Sequence, residues 1–164
     1  DILPVVAAED VLDAMDLFQG ARIEVSGQLR SFNSRAATGR RLVISVYASA
    51  LTTSDEAPEN IVELTGAICK EPVYRRTPLG REICDVMLAV NRLYHRTDYL
   101  PCILWGRTAQ ELSQLPIGAR IHLNGRLQSR DYIKVLPDGN EKRTAYEVSV
   151  TTAEEVFDEA SALC

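Results

Sequence analysis

The chain has 164 residues, of which 46% are hydrophobic and 25% charged, a composition typical of one ordinary folded domain or of two small ones. No apolar run reaches the roughly 18 residues of a membrane span, and the first residues lack the basic segment of a signal peptide. The net charge of −5 is unevenly distributed: residues 1–59 carry −4, residues 60–150 carry +3 and residues 151–164 carry −4.

The first part of the chain, residues 1–52, is similar in sequence to residues 100–150. The tetrapeptide Gly-Ala-Arg-Ile occurs at residues 20–23 and again at 118–121, and seven of the fourteen positions 20–33 are identical at this offset. The later copy has two further strand-like runs, within residues 60–99, that have no counterpart ahead of the first copy. We therefore expect residues 1–52 to form a partial barrel module (strand 3, helix, strands 4 and 5), with the chain beginning inside it.

A polar, proline-bearing linker is expected at 53–59, followed by a complete module at 60–152 and an acidic tail at 153–164. Alternating apolar residues and turn signals predict the elements of the complete module. They are a strand at 61–69, a turn at 77–80, strands at 84–90 and 99–105, a helix at 107–115, a strand at 120–127, a hairpin turn at 138–139 and a last strand at 144–150.

Two positions in this module have a specific local role: Thr108 is the expected N-cap of the helix, and Gly125 is expected to mark a bulge or sharp bend. The order of three strands, a helix and two strands is that of the OB fold. The predicted fold class is all-β: a five-stranded OB barrel with one helix between strands 3 and 4, preceded by the C-terminal half of a second OB-like module.

Catalytic and metal-binding functions find little support. No nucleophile stands in a recognisable motif beside a base, and no glycine-rich phosphate loop is present. The four cysteines form no C-x-x-C pair, and only two histidines accompany them. We expect no enzyme activity, no metal and no cofactor, and the cysteines in apolar runs favour a reducing cytoplasm.

The aromatic residues of the complete module indicate a different function, since four of them stand near basic residues: Tyr94, Tyr99, Trp105 and Tyr132. In single-strand-binding OB proteins generally, bases stack on aromatic faces at about 1–3 kcal/mol each, while cations follow the phosphates. A charge of +3 permits such binding without requiring it. The alternative is that tyrosines simply suit strands and that Trp105 belongs to the core.

Residues 60–152 resemble the OB domain of bacterial single-stranded DNA-binding proteins. The resemblance rests on five motifs in the family's order: the first strand at 60–66, an acidic-proline-arginine loop with a Thr-Pro-x-Gly turn at 71–80, a strand ending at 88–92, the third strand at 98–106 and the strand-four signature at 125–132. Each motif is weak alone, but five in order across 93 residues are specific.

The resemblance implies sequence-tolerant binding of single-stranded DNA, in support of replication, recombination or repair. By position it assigns base stacking to Tyr94, Tyr99, Trp105 and Tyr132, and phosphate contacts to Arg75 and Arg130. Charge alone adds three further candidates: Arg92, Arg96 and Arg126. The implied partners are single-stranded DNA and further copies of the chain, as a dimer of tandem modules or a tetramer, with no membrane.

Three departures from the family pattern qualify these expectations. The glycine- and proline-rich tail with an acidic, phenylalanine-ended tip does not appear, so recruitment of partner proteins by that route is not expected. The loop at 92–97 is short. Where the complete module has Tyr99, Trp105 and Tyr132, the first module has the non-aromatic residues Ile2, Ala8 and Ser34.

These departures leave alternatives open. The first module is hypothesised to be a scaffold or dimerisation module; either its open sheet edges are completed by another chain or segment, or the natural protein begins well before Asp1. The whole protein could instead be an interaction module, a replication accessory that binds nucleic acid weakly, because one fold hosts many functions. RNA binding is a third alternative, since stacking does not distinguish RNA from DNA.

Overall fold

The computed structural model describes residues 1–36 and 39–157, and these residues form two units, Ile2–Glu59 and Asn60 onward. The elements of the first unit are β1 (Val5–Ala7), α1 (Glu9–Asp13), β2 (Ile23–Ala36) and β3 (Gly39–Thr53). Those of the second are β4 (Val62–Ile68), β5 (Val73–Arg76), β6 (Glu82–Arg92), a 3₁₀ turn (Leu93–His95), β7 (Arg96–Trp105), α2 (Gly106–Leu112), β8 (Arg120–Leu136) and β9 (Gly139–Glu155). The all-β expectation is confirmed.

The second unit is a closed barrel. Its strands are ordered β4-β8-β9-β7-β6-β5, and the sheet closes where β4 pairs with β6 at Ala67↔Ala89 and Ile68↔Leu88. Alternate side chains of each strand point inward, because successive residues of a strand face opposite sides of the sheet. The fully buried core includes Leu88, Leu100, Leu104, Ile121, Leu123 and Val148.

The helix lies between β7 and β8 in sequence, which are the third and fourth barrel strands of the OB pattern when the short β5 is not counted, but it is shorter than expected. It spans Gly106–Leu112 and begins one residue earlier than the 107–115 prediction, with Trp105 rather than Thr108 as the N-cap. Ala109 and Leu112 are its buried residues and they anchor it to the barrel. Trp105 is therefore held at the junction of strand and helix.

The strand count of five is corrected to six. The additional strand, β5, lies in the segment that the sequence suggested was a loop, and it pairs with the start of β6 from Val73↔Asp85 to Arg76↔Glu82. All four of its residues are exposed, so no alternation of buried and exposed side chains marked it as a strand. The predicted turn at residues 77–80 lies between β5 and β6.

The last two strands are also much longer than predicted, at 17 residues each. Beyond Leu127, β8 pairs only with β9, and the two extend as a hairpin to the Leu136↔Gly139 pair. Most residues of this extension are exposed, so the alternation of apolar and polar residues that predicted the strand stops where β8 leaves the core. β9 runs three residues into the segment expected to be the acidic tail; residues 158–164 of that segment lie outside the described residues.

The first unit has the same local architecture as the second half of the barrel. Its sheet order is β1-β3-β2, and β1 is parallel to β3 with Val5↔Val46, as β7 is parallel to β9 with Cys102↔Val148. Both units have a short helix after the parallel strand. Both also have a bulge at the matching place, between Ser26 and Gly27 and between Asn124 and Gly125.

The two units differ in how well their inner faces are covered. Val5 and Ile23 are 44% and 39% exposed, whereas their counterparts Cys102 and Ile121 are 1% and 0% exposed. In the second unit β4 and β6 flank these positions, and the described part of the first unit contains no such strands. The inner face of the first sheet is therefore only partly covered. Among the described residues, no helix has the length and apolarity needed to cross a bilayer.

The bulge at Gly125 gives a stability prediction. A Cβ at Gly125 would lie 2.2 Å from the carbonyl oxygen of Ser149, so a side chain there must push β8 away from β9. We expect Gly125→Ala to lower the free energy of unfolding by about 1–3 kcal/mol, measured by urea unfolding monitored by the fluorescence of Trp105, the chain's single tryptophan.

Arg126→Ala is the matched control, because Arg126 is the next residue of β8 and its side chain is exposed. It should change the free energy of unfolding by no more than about 0.5 kcal/mol. Equal unfolding midpoints for the two variants would contradict the close approach of β8 and β9.

Candidate nucleic-acid interface

The side chains of β5–β9 that point away from the barrel core form one surface, which we call the outer face. On β7, Tyr99 and Trp105 lie on this face because they alternate with the buried Leu100 and Leu104. The same alternation applies to β8 around the buried Leu127. The outer face includes Arg75, Asp85, Tyr99, Trp105, Arg126, Gln128, Arg130, Tyr132, Glu147 and Ser149.

Trp105 is fixed in place by its indole nitrogen. Its Nε1 donates a hydrogen bond of 3.0 Å to Oγ of Ser149, which the parallel pairing of β7 and β9 brings alongside. The ring is half-buried, and the guanidinium carbon of Arg81 lies 5.8 Å from its centroid. A ring whose N–H is already satisfied and whose neighbour is a cation is suited to contact a base.

A buried carboxylate organises the centre of the outer face. Oε1 of Glu147 accepts hydrogen bonds of 3.1 Å from both Nε of Arg130 and Nε2 of Gln128. The Glu147 side chain is only 6% exposed, whereas that of Arg130 is 51% exposed. Glu147 therefore orients the guanidinium and offsets part of its charge, while half of the Arg130 side chain stays accessible. The guanidinium carbon of Arg130 also lies 5.8 Å from the ring centroid of Tyr132.

The other two arginines of this surface differ in their partners. Nε of Arg75 donates to Oδ2 of Asp85 at 2.8 Å, and both side chains are about half exposed. The hydrogen bond to Asp85 is the main cause of a raised pKa for Arg75, so this guanidinium stays charged at any physiological pH. Arg126 is exposed on β8, and its guanidinium lies 3.6 Å from Oδ2 of Asp1.

Three of the nine predicted residues do not lie on the outer face of a strand. Arg92 points to the opposite side of β6, where its Nε lies 2.8 Å from Oδ2 of the buried Asp98, without the alignment of a hydrogen bond. Arg92 itself is 21% exposed, so it acts as the partner of a buried charge. Tyr94 and Arg96 lie at the connection of β6 and β7, both exposed.

Tyr94 has an unusual backbone. It is 91% exposed, and its φ of 66° and ψ of 33° are in the left-handed region, followed by His95 with φ of 60°. Bulky residues seldom adopt this conformation, and each such residue costs on the order of 1–3 kcal/mol. The turn holds the Tyr94 ring out from the barrel at one end of β6 and β7.

The sequence did not identify the acidic residues of the outer face. Alternation along β9 predicts that Glu147 and Ser149 both point outward. It does not predict that Glu147 pairs with Arg130, because that pairing depends on the β8–β9 register, in which Gln128 is opposite Glu147.

The described residues offer little other chemistry. The described residues contain no cluster of three metal-ligating side chains, and burial raises the pKa of the Cys102 thiol to about 12, so this thiol stays protonated.

Known proteins are similar to this chain in sequence. A family model described as the single-strand binding protein family matches residues 59–156. Single-stranded DNA-binding protein 1 of Staphylococcus aureus (strain COL) is 36% identical over 80 residues, covering 44% of this chain and 48% of its own length. Single-stranded DNA-binding protein B of Bacillus subtilis (strain 168) is 35% identical over 80 residues, covering 44% of this chain and 71% of its own length.

Solved structures agree on the fold. A deletion mutant of the single-stranded DNA-binding protein from Thermus aquaticus superposes with a TM-score of 0.77 at 23% identity, covering 94% of this chain and 71% of that one. The wild-type protein from the same organism gives a TM-score of 0.67 at 24% identity, covering 83% and 59%.

The chain spans about half the length of the first curated relatives it matches. The family match, by contrast, covers more than half of this chain and includes every strand of the closed barrel. The chain therefore belongs to the single-strand binding protein family.

Proposed function

We propose that this protein binds single-stranded DNA with little sequence preference through the outer face of its second unit, in support of replication, recombination or repair. The observation that carries the proposal is the presence of aromatic and cationic side chains on two strands, β7 and β8, that flank β9 in the same sheet. Tyr99 and Trp105 lie on β7, while Arg126, Arg130 and Tyr132 lie on β8. Together they offer rings for bases and charges for phosphates on one surface.

Binding would follow from two independent contributions. Stacking on a ring tolerates any base, because every base has a π-face. Contacts of arginine with phosphate release counterions and carry no sequence information. Each of these arginines lies near a carboxylate, Arg75 at 2.8 Å from Asp85, Arg130 at 3.1 Å from Glu147 and Arg126 at 3.6 Å from Asp1, so each would contribute less than a full positive charge to the face.

The proposal extends to assembly and location. We propose that the first unit is a partial OB-like module and that the protein self-associates, as a dimer of tandem modules or a tetramer. Val5 and Ile23 are exposed on the inner face of the first sheet, and such faces are normally covered, either by further strands of the same chain or by another copy. Cytoplasmic action and the absence of enzyme activity are part of the proposal; the free thiols of Cys69, Cys84 and Cys102 agree with a reducing compartment.

Stacking can be tested with three tyrosines. We expect Tyr99→Ala and Tyr132→Ala each to weaken binding of poly-dT roughly 5- to 150-fold, the effect of losing one stacked base. The measurement is quenching of Trp105 fluorescence by poly-dT. Tyr74→Ala is the matched control, because Tyr74 is opposite Cys84 on the inward-facing register of β5 and its hydroxyl bonds Glu82.

Two outcomes would count against the proposal. Equal binding by the three variants would remove the stacking assignment. Absence of any Trp105 quenching at low salt would instead favour the alternative that the protein is an interaction module. The ion pairs Arg75–Asp85 and Arg130–Glu147 support that alternative, because they lower the positive charge of the outer face.

Phosphate contact can be tested by salt dependence. We expect Arg126→Gln to reduce the slope of log K against log salt concentration by about 0.7, the value for one released counterion on a single strand. The control is Arg107→Gln, since Arg107 is an exposed arginine on α2 that pairs with Glu111 and lies off the outer face. A slope that falls equally in both variants would show that Arg126 acts only through the net charge of the protein.

A further inference from the structure

A carboxylate is buried at one end of the barrel core of the second unit. Asp98 is 1% exposed, lies on the inward side of β7 and is opposite Val90 of β6. The next inward residue of β7 is Leu100, which is also 1% exposed. A buried charge lowers stability unless an opposite charge or hydrogen bonds compensate it. Asp98 therefore needs a partner that reaches the same end of the barrel.

Arg92 supplies an opposite charge from the neighbouring strand. Its Nε lies 2.8 Å from Oδ2 of Asp98, and its side chain is 21% exposed. Arg92 is the last residue of β6 and is opposite Arg96, the first residue of β7. Like charges directly opposite one another destabilise a pair of strands. Asp98 lies on the same side of the sheet as both arginines, so its negative charge offsets their repulsion at the last pair of the β6–β7 ladder.

The connection beyond this last pair has a strained backbone. Only three residues, Leu93–His95, join Arg92 to Arg96, and Tyr94 and His95 both have left-handed conformations. All three side chains of the connection are exposed, so their burial does not hold this conformation. A strained turn persists only where the surrounding structure fixes it. The contacts that fix the two strand ends therefore decide where the Tyr94 ring lies.

Side-chain contacts fix these strand ends on both sides of the sheet. On the outward side, Oγ1 of Thr97 donates a hydrogen bond of 3.1 Å to Oδ1 of Asn91, and this contact is exposed to water. On the inward side is the Arg92–Asp98 pair, in which the carboxylate is buried. Water and salt screen a buried charge pair less than an exposed contact. We therefore expect the inward pair to hold the turn more firmly than the outward hydrogen bond.

We propose that Asp98, acting through Arg92, is a positioning residue for the binding of single-stranded DNA. The buried pair holds the ends of β6 and β7 together and thereby keeps the Tyr94 ring projecting at the end of the strand that carries Tyr99. Neither member of the pair contacts DNA, so this role replaces the expectation that Arg92 binds phosphate. The inference rests on the proposed function, because it assigns a cause to the position of one of the proposed stacking rings.

The test compares Asp98→Asn in two backgrounds of the full chain. Asparagine has nearly the size of aspartate but no charge, so Arg92 loses its ionic partner while the packing is kept. We expect Asp98→Asn to weaken poly-dT binding about 5-fold, the lower end of the effect of losing one stacked base, because the Tyr94 ring is displaced and not removed. In a Tyr94→Ala background, Asp98→Asn should cause no further loss. The measurement is quenching of Trp105 fluorescence by poly-dT.

The direction of the change separates positioning from phosphate contact. If Arg92 bound phosphate, removing the charge of Asp98 would free its guanidinium, strengthen binding and steepen the slope of log K against log salt concentration. That result would overturn the inference, which predicts weaker binding with an unchanged slope. Glu111→Gln is the matched control, because it removes one negative charge from an exposed side chain on α2, and it should leave the affinity for poly-dT unchanged.

A second variant keeps the test valid if Asp98→Asn does not fold. Arg92→Lys retains the positive charge but loses the planar guanidinium, so it fits the buried carboxylate less well. It should weaken poly-dT binding by a smaller factor than Asp98→Asn, and only while the Tyr94 ring is present.

The outcomes distinguish this inference from the proposed function. Equal losses of affinity with and without the Tyr94 ring would show a general structural effect and overturn the inference. Wild-type affinity in whichever of the two variants folds, or in Tyr94→Ala alone, would overturn it as well. In each of these cases normal Trp105 quenching in the wild-type protein leaves the proposed function standing, whereas absence of that quenching would overturn the proposed function itself.

Discussion

The close approach of two backbones at Gly125 determines much of the second unit. At this residue β8 shifts register against β9 and the Ser149 carbonyl occupies the space of a side chain, so only glycine fits. On one side of the bulge β8 pairs with both β4 and β9; beyond it, β8 pairs with β9 alone. The register set there brings Gln128 opposite Glu147 and places Ser149 within reach of Trp105. The first unit repeats this constraint at Gly27, where the Tyr47 carbonyl is equally close.

The sequence predicted the parts of the fold that depend on burial. Strands with one face in the core alternate apolar and polar residues, so β4, β6 and β7 were identified, and turn chemistry located the β5–β6 connection. The prediction was wrong for β5 and incomplete for the β8–β9 hairpin, because strands without a buried face show no such alternation. Long-range register, which pairs Glu147 with Arg130, is not encoded in any local pattern.

Alternation could have corrected one of the site assignments. Asp98 precedes Tyr99 and lies on the inward side of β7, so its partner Arg92 also belongs to the inner side of the sheet. Charge had suggested Arg92 as a phosphate ligand. Net charge was a poor guide in the first unit as well, since residues 1–59 carry −4 although residues 25–54 contain four arginines and no acidic residue. The charge of a face matters for recognition, and it depends on which residues share that face.

The left-handed turn at Tyr94 and His95 has an energetic consequence for the barrel. A glycine at either position would adopt the same backbone without strain. The chain instead keeps a large ring that contributes almost nothing to the core, since it is 91% exposed. The backbone strain at this turn is therefore not offset by burial of the Tyr94 ring, and the rest of the barrel must hold the β6–β7 connection in its left-handed conformation.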